Sequence, residues 1–267
     1  QPGELALLER IHDLDDVVDA VGWARGAGFD NLSLDLIFGL PDQAIDDWGD
    51  TLAQALELAP EHFSLYALTL EHGTPLKHRA DRGLIPEPDP DLAAEMYELA
   101  DSRLSASGYQ QYEISTWAKA PAEVWSSQHN LQYWRSKPYL GLGAGAHGFT
   151  GNFRTVNVLS PQAYIRRLGA DQDDQTLPFP RTPATSSLTP IDSETEIAET
   201  MIMGLRLTQE GVSTQNFEAR FGRPVDDIYG DEIEHLIELG LLTRTANTLR
   251  LTPRGRLLGN QVFMRFV

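Results

Sequence analysis

Asp35 is an acidic residue inside an otherwise apolar stretch, NLSLDLIFGLP, which runs from Asn31 to Pro41. In an extended strand alternate residues share a face, so Asp35 lies with Ser33 opposite the leucines. Turn residues at 39–41 end this strand shortly after Asp35. A buried carboxylate is unfavourable without a partner, and the last residues of a parallel strand point toward the ligand-binding edge. Asp35 therefore either contacts a ligand at the end of a barrel strand or accepts hydrogen bonds from nearby loop amides.

A second candidate is the motif HNLQYW, in which His129 precedes Tyr133 by four residues and Asn130 precedes Trp134 by four. On a helix this spacing places each pair on one face. An imidazole backed by aromatic rings suits heme, because the nitrogen ligates iron and the rings cover the porphyrin. A lone histidine among aromatic residues is more often a core residue, and this is the alternative interpretation of His129. The competing iron ligands are His147 and His62.

The composition argues against several classes of function. The 267 residues carry a formal net charge of −18, which disfavours nucleic acid and anionic membrane surfaces as partners. The absence of cysteine excludes disulfides and thiolate-held metal clusters within these residues. No apolar run is long enough for a transmembrane segment and no signal peptide opens the chain, so we expect a cytoplasmic protein. The chain begins at Gln1 and not at Met, and we expect that its true N-terminus is missing.

The first third of the sequence predicts parallel βα units. Apolar residues recur at helical spacing in 13–25 and again in 44–58, and each helix borders an apolar strand, 31–38 and 62–70. This alternation is typical of right-handed parallel βα connections. Two such strands cannot form a stable sheet alone, so we expect an upstream βα portion to be absent. An open barrel edge exposes unpaired backbone and apolar surface, so we also expect association, with a homo-oligomer as one outcome.

The middle of the sequence predicts a mixture of loops and short elements. Four prolines and two glycines predict a long loop over 71–91, followed by a helix over 91–107. YQQYEIS reads as a short strand and 124–134 as a helix or tight turn. The glycine-rich stretch 139–151 contains His147, and its backbone is expected to approach something closely. Trp117, Trp125 and Tyr139 are expected to build core.

The last third predicts a smaller C-terminal domain. A short helix over 161–168 precedes the polar, proline-rich stretch 171–190, the best linker in the chain. Helices over 194–207, 214–221 and 226–239, followed by a hairpin, are typical of a winged-helix-like domain. The predicted organisation is barrel elements in 1–160, a linker in 161–190 and this domain in 191–267. Its acidic character favours a packing role over DNA binding.

Five motifs in order resemble one family. DLIFGLP, SLYALTLEHGTPL, GYQQYEIS, HNLQYW and YLGLGAGAH resemble the radical S-adenosylmethionine proteins related to oxygen-independent coproporphyrinogen III oxidase, as does the C-terminal NQVFMRF. SLYALTLEHGT and HNLQYW resemble the heme chaperone branch. The resemblance covers essentially the whole chain. It implies an α/β fold made of the C-terminal part of a partial (β/α) barrel plus the winged-helix-like domain.

The departures from the family pattern limit what the resemblance implies. The family's CxxxCxxC motif, which holds a 4Fe–4S cluster, is not in this chain, and neither is the glycine-rich loop that meets the methionine end of S-adenosylmethionine. The cysteine usual before HN is replaced by Ser127 and Gln128, and the asparagine usual after YEIS is Thr116. The intact family member would bind the cluster, but this chain cannot bind it alone.

The resemblance also implies particular site residues. The S-adenosylmethionine pocket would use Arg10, Asp35, Thr69 and His147, with a surface ion pair as the alternative role for Arg10. Heme would be bound by His129 as the iron ligand, with Asn130, Tyr133 and Trp134. The implied function is heme binding and delivery to respiratory acceptor proteins. The alternatives are an oxygen-independent coproporphyrinogen III oxidase, a radical enzyme of porphyrin biosynthesis, and a catalytically silent interaction module.

Overall fold

The structure, a computed structural model, describes residues 1–169 and 177–267. The chain forms two compact units, 1–126 and 127–267. Within the described residues, no helix is long and apolar enough to cross a membrane. The elements of the first unit are α1 (Pro2–Leu7), α2 (Leu14–Gly26), β1 (Ser33–Phe38), α3 (Ile45–Glu57), β2 (His62–Ala67), α4 (Pro75–Asp81), α5 (Pro90–Ala106), β3 (Tyr109–Glu113), β4 (Thr116–Lys119) and α6 (Ala122–Trp125).

A four-stranded sheet in the order β1-β2-β4-β3 organises the first unit. β1 and β2 are parallel, with Ser33 opposite His62 and Asp35 opposite Ser64, so the predicted pairing of these two strands is confirmed. β4 is antiparallel to both β2 and β3. The polar positions of β1 therefore face the same side as His62 and Ser64 of β2.

The opposite face of this sheet carries the core of the first unit. Trp48 of α3, Met96 of α5 and Trp117 of β4 are fully buried there. Trp48 donates its indole N–H to the Met96 carbonyl at 2.9 Å, which ties α3 to α5. The expectation that Trp117 builds core is confirmed. The helix predicted over 13–25 is also present as α2, but it buries none of its residues, and Trp23 is 72% exposed.

Three predictions for the first unit are wrong in detail. The strand predicted over 62–70 ends at Ala67, because Ala67, opposite Phe38, is the last residue of β2 that pairs with β1. The loop predicted over 71–91 contains α4, whose first turn is fixed by the Thr74 hydroxyl accepting from the Lys77 N–H. The sequence reading also misses β4, a four-residue strand that is stabilised by pairing with strands on both sides.

The elements of the second unit are α7 (Gln128–Trp134), β5 (His147–Thr150), β6 (Phe153–Asn157), α8 (Pro161–Gly169), β7 (Thr185–Pro190), α9 (Ser193–Leu205), β8 (Val212–Ser213), α10 (Thr214–Phe221), α11 (Asp226–Glu238), β9 (Leu242–Arg244), β10 (Thr248–Leu251), α12 (Pro253–Leu257) and α13 (Gly259–Phe263). The strands form two three-stranded sheets, β5-β6-β7 and β8-β10-β9. Helices α9 to α11 with the second of these sheets give the winged-helix-like arrangement that the sequence predicts.

The stretch predicted as a linker, 161–190, contains regular structure at both ends. α8 occupies its beginning, and β7 at its end pairs antiparallel with β6, because backbone groups there complete the sheet. Residues 170–176 of this stretch lie outside the described residues. The domain boundaries at 160 and 190 stay predictions.

Candidate functional site

A cavity of about 510 Å³ lies along β1, which is an edge strand of its sheet. α1, the start of α2 and α3 supply its other walls, mainly with apolar side chains such as Leu5, Val17 and Leu36. Arg10 and Asp35 both line this cavity. Their opposite charges add a hydrogen-bond donor group and an acceptor group to a cavity whose lining also includes the polar side chains of Glu4, His12 and Asp13. A largely apolar cavity with a few polar groups is suited to a polar small molecule with an apolar part.

Arg10 and Asp35 are placed there by different local causes. Asp35 is the third residue of β1, on the face opposite the core, and its side chain is exposed. It is therefore not the buried carboxylate that the sequence suggested. Arg10 follows α1, and its backbone N–H caps that helix by bonding to the Leu5 carbonyl at 2.9 Å. Within the described residues Arg10 forms no ion pair, so the surface ion pair considered as its alternative role is not observed.

The other two residues of the predicted S-adenosylmethionine pocket do not line this cavity. Thr69 is exposed and lies beyond the end of β2, so it is not a late strand residue as the sequence suggested. His147 is the exposed first residue of β5 in the second unit, opposite Val156 of β6. The structure thus brings together two of the four residues.

Sequence reasoning missed a buried polar chain next to Asp35. His62, which is 4% exposed, bonds through Nδ1 to the Ser33 hydroxyl and through Nε2 to the Tyr112 hydroxyl, each at 2.8 Å. Burial lowers the pKa of His62, and the Asp35 charge opposes this effect only in part. Both ring nitrogens are occupied, which argues against His62 as an iron ligand. Tyr112 is 50 residues away in sequence, so no local signal indicates the contact.

The HNLQYW motif forms α7 of the second unit. Ser127 caps this helix by accepting from the Asn130 N–H at 3.3 Å, which fixes the first turn. His129 is exposed, and its Nε2 lies 3.2 Å from the Tyr133 hydroxyl, with the two rings edge-to-face at 5.0 Å. Tyr133 in turn packs edge-to-face on Tyr139 at 4.6 Å. We call these three rings the aromatic row; the sequence anticipated two of them and assigned Tyr139 to the core.

Trp134 belongs to a different side of α7. The Arg206 guanidinium lies 4.3 Å from the centre of the Trp134 ring, a cation–π contact, and Trp134 lines a cavity of about 560 Å³ together with α9, β8 and α10. His129 does not line that cavity. His129 and Tyr133 therefore lie on one face of α7, and Trp134 lies on another, because positions five apart on a helix point away from each other. The prediction that Trp134 covers the same heme as His129 does not match this arrangement.

The glycine-rich stretch 139–151 approaches the chain itself. A side chain at Gly141 would collide with the His147 carbonyl at 2.3 Å, so the loop packs directly on β5. Asn157 donates to the carbonyls of Gly141 and Gly143, both at 3.0 Å. The close approach expected from the glycines is confirmed, and the partner is backbone of the same unit.

The residues present fit S-adenosylmethionine and heme but not a 4Fe–4S cluster. Arg10 and Asp35 fit a ligand with a carboxylate and hydroxyl groups, as S-adenosylmethionine has. His129 with the aromatic row fits heme. The chain has no cysteine, so its residues do not fit a 4Fe–4S cluster, and within the described residues no group of three or more histidine and carboxylate side chains could hold a metal ion.

The fold is that of a radical S-adenosylmethionine protein of the coproporphyrinogen oxidase type. The solved coproporphyrinogen III oxidase (HemN) of Escherichia coli, described as a radical SAM enzyme, matches 98% of this chain and 60% of its own length with a TM-score of 0.73 at 19% identity. Residues 191–258 match the HemN C-terminal domain family.

Curated relatives narrow the assignment. The heme chaperone HemW of Bacillus subtilis is 38% identical over 263 residues, covering 98% of this chain and 66% of the relative. HemW of Lactococcus lactis is 33% identical with the same coverage, and HemW of E. coli is 32% identical over 99% of this chain and 65% of the relative. The chain spans about two thirds of the length of these relatives. It belongs to the HemN-like family of radical S-adenosylmethionine proteins that includes HemW.

Proposed function

We propose that the chain is the part of a heme chaperone that binds heme, with His129 as the iron ligand and Tyr133 and Tyr139 as its aromatic support. The observation that carries the proposal is the exposed imidazole at the end of the aromatic row. An exposed imidazole is accessible to iron, and the edge-to-face rings hold its orientation before heme arrives. The heme would pass to respiratory acceptor proteins.

Similarity supports a chaperone more than an oxidase. Relatives with the name heme chaperone share 31–38% identity with the chain, whereas the solved oxidase shares 19%. The oxidase chemistry requires a cluster that these residues cannot ligate. In the intact family member, S-adenosylmethionine would lie in the cavity along β1, its carboxylate near Arg10 and its ribose hydroxyls near Asp35.

A hemin titration tests the proposal. Adding hemin to the chain should produce a shifted Soret band, and His129→Ala should abolish or move this band, because the iron loses its nitrogen donor. Binding should also weaken in acid, since a protonated imidazole cannot ligate iron.

His147→Ala is the matched control, because His147 is also exposed but stands outside the aromatic row. The control variant should bind hemin as the wild type does. A wild-type spectrum in His129→Ala would refute His129 as the ligand, and loss of the band in His147→Ala would move the site. A band that survives both changes and is insensitive to pH would indicate nonspecific adsorption and contradict the proposal.

A further inference from the structure

The chain contains three lysines, and two of them are neutralised by carboxylates. Lys77 contacts Asp81 and Glu87, both at 3.0 Å. Lys119 contacts Glu61 at 2.9 Å. Lys137 is exposed and makes no ion pair or side-chain hydrogen bond with any described residue. In a chain with a net charge of −18, an uncompensated ammonium group is available to a ligand anion.

Lys137 lies where two cavities of the second unit meet. The cavity of about 560 Å³ and a smaller one of about 90 Å³ share Ser136, Lys137 and Arg220 as lining residues. The arginines around them are already paired: Arg135 with Glu210 and Arg220 with Glu196, through Nε at 2.9 and 3.1 Å, and Arg154 with Glu199. Among the basic side chains that line these two cavities, Lys137 is therefore the one that no described carboxylate neutralises.

The end of α7 brings Lys137 to the aromatic row. Ser136 adopts a left-handed conformation with φ of 47°, so the chain reverses just after the helix. The Ser136 N–H bonds to the Tyr133 carbonyl and the Lys137 N–H to the Gln132 carbonyl, both at 2.9 Å. Tyr133 and Tyr139 line the smaller cavity together with Lys137. Tyr133 thus contacts His129 in the aromatic row and also shares a cavity lining with Lys137, so the row connects the exposed imidazole to an uncompensated positive charge.

Heme has the matching chemistry, since it joins a flat apolar ring to two carboxylates at one edge. We propose that Lys137 is the counter-ion of a heme propionate when the iron is bound by His129. This inference rests on the proposed function and deepens it by naming the residue that recognises the carboxylate edge of the ligand. Lys137 would thereby distinguish heme from porphyrin compounds that lack free carboxylates.

Comparing hemin with hemin dimethyl ester tests the inference, because the ester keeps the iron and the ring but has no carboxylate charge. The wild-type chain should bind hemin about fivefold more tightly than the ester, the upper end for an exposed ion pair. Lys137→Met should reduce this preference to about one, and Lys137→Arg should restore it. The same preference in Lys137→Met as in the wild type, or none in the wild type, would overturn the inference.

Lys77→Met is the matched control, since it also removes one lysine charge but in the first unit. It should leave the preference for hemin unchanged; an equal loss would mean that net charge matters and not Lys137. The two proposals fail differently. If the Soret shift depends on His129 but Lys137→Met has no effect, only the proposal for Lys137 is refuted. If the spectrum is unchanged in His129→Ala, both proposals are refuted.

Discussion

Replacing Glu61 with glutamine should loosen the strand that carries Asp35. Glu61 is 7% exposed and stands at the start of β2, where its Oε2 accepts from the Leu32 N–H at 3.0 Å and from Arg25 at 2.7 Å. Its Oε1 accepts from Lys119 at 2.9 Å. One carboxylate therefore joins the end of α2, the residue before β1 and the end of β4.

The expected loss of stability in Glu61→Gln depends on which hydrogen bonds of Glu61 a glutamine can still form. Its single oxygen can still accept from Leu32 and Arg25, so its N–H₂ group must face the Lys119 ammonium. Removing one partner of a fully buried ion pair costs about 3–5 kcal/mol. The Arg25 and Lys119 side chains are 31% and 35% exposed and stay partly hydrated, which reduces the expected cost to about 2 kcal/mol.

The pH dependence gives a second signature. Burial alone would raise the pKa of Glu61, but hydrogen bonds from Leu32, Lys119 and Arg25 together lower it below the ordinary value of 4.5. A carboxylate whose pKa is depressed by folding stabilises the folded state above its unfolded pKa. The stability difference between the wild type and Glu61→Gln should therefore be full at pH 7 and disappear as the pH falls below about 4.5.

Hydrogen exchange is the suitable assay, because a chain with two compact units need not unfold in one step. Peptides covering β1 and β2 should exchange about 30-fold faster in Glu61→Gln, the equivalent of about 2 kcal/mol. Glu57→Gln is the control, since Glu57 is exposed at the end of α3. Unchanged protection of β1 in Glu61→Gln, or equal loss in the control, would refute the argument.

Two further predictions concern the same sheet. Calorimetry with S-adenosylmethionine should show little or no binding to this chain, because only Arg10 and Asp35 of the expected residues line the cavity; tight binding that survives Asp35→Ala would contradict the assigned pocket. Burial lowers the pKa of His62 from 6.5, so the unfolded chain takes up a proton that the folded chain does not, and stability should fall as the pH drops below about 6.5. Thermal melts should show a flatter pH dependence in His62→Gln, and an identical dependence in both proteins would contradict this.

The sequence by itself determined those features that depend on neighbouring residues. The apolar spacing of 13–25 and 44–58 predicted α2 and α3 to within a residue or two, because helix periodicity and end signals are local. The four-residue spacing in HNLQYW correctly placed His129 against Tyr133 for the same reason. The lack of cysteine excluded a thiolate cluster without any structure.

Only the tertiary structure decided which of the candidate residues meet. Trp134 turns toward Arg206, 72 positions along the chain, and Tyr139 joins the aromatic row, since packing between elements determines which side chains meet. β4 forms because strands on both sides satisfy its backbone, a condition that four residues cannot reveal. Thr69 does not join the predicted S-adenosylmethionine pocket, because β2 ends at Ala67. His62 is hydrogen-bonded to Tyr112, which is 50 residues away in the sequence. Local sequence patterns specify the faces and the ends of helices and strands. They do not specify which distant side chains meet, because bringing such residues together costs chain entropy that only the packing of the whole core offsets.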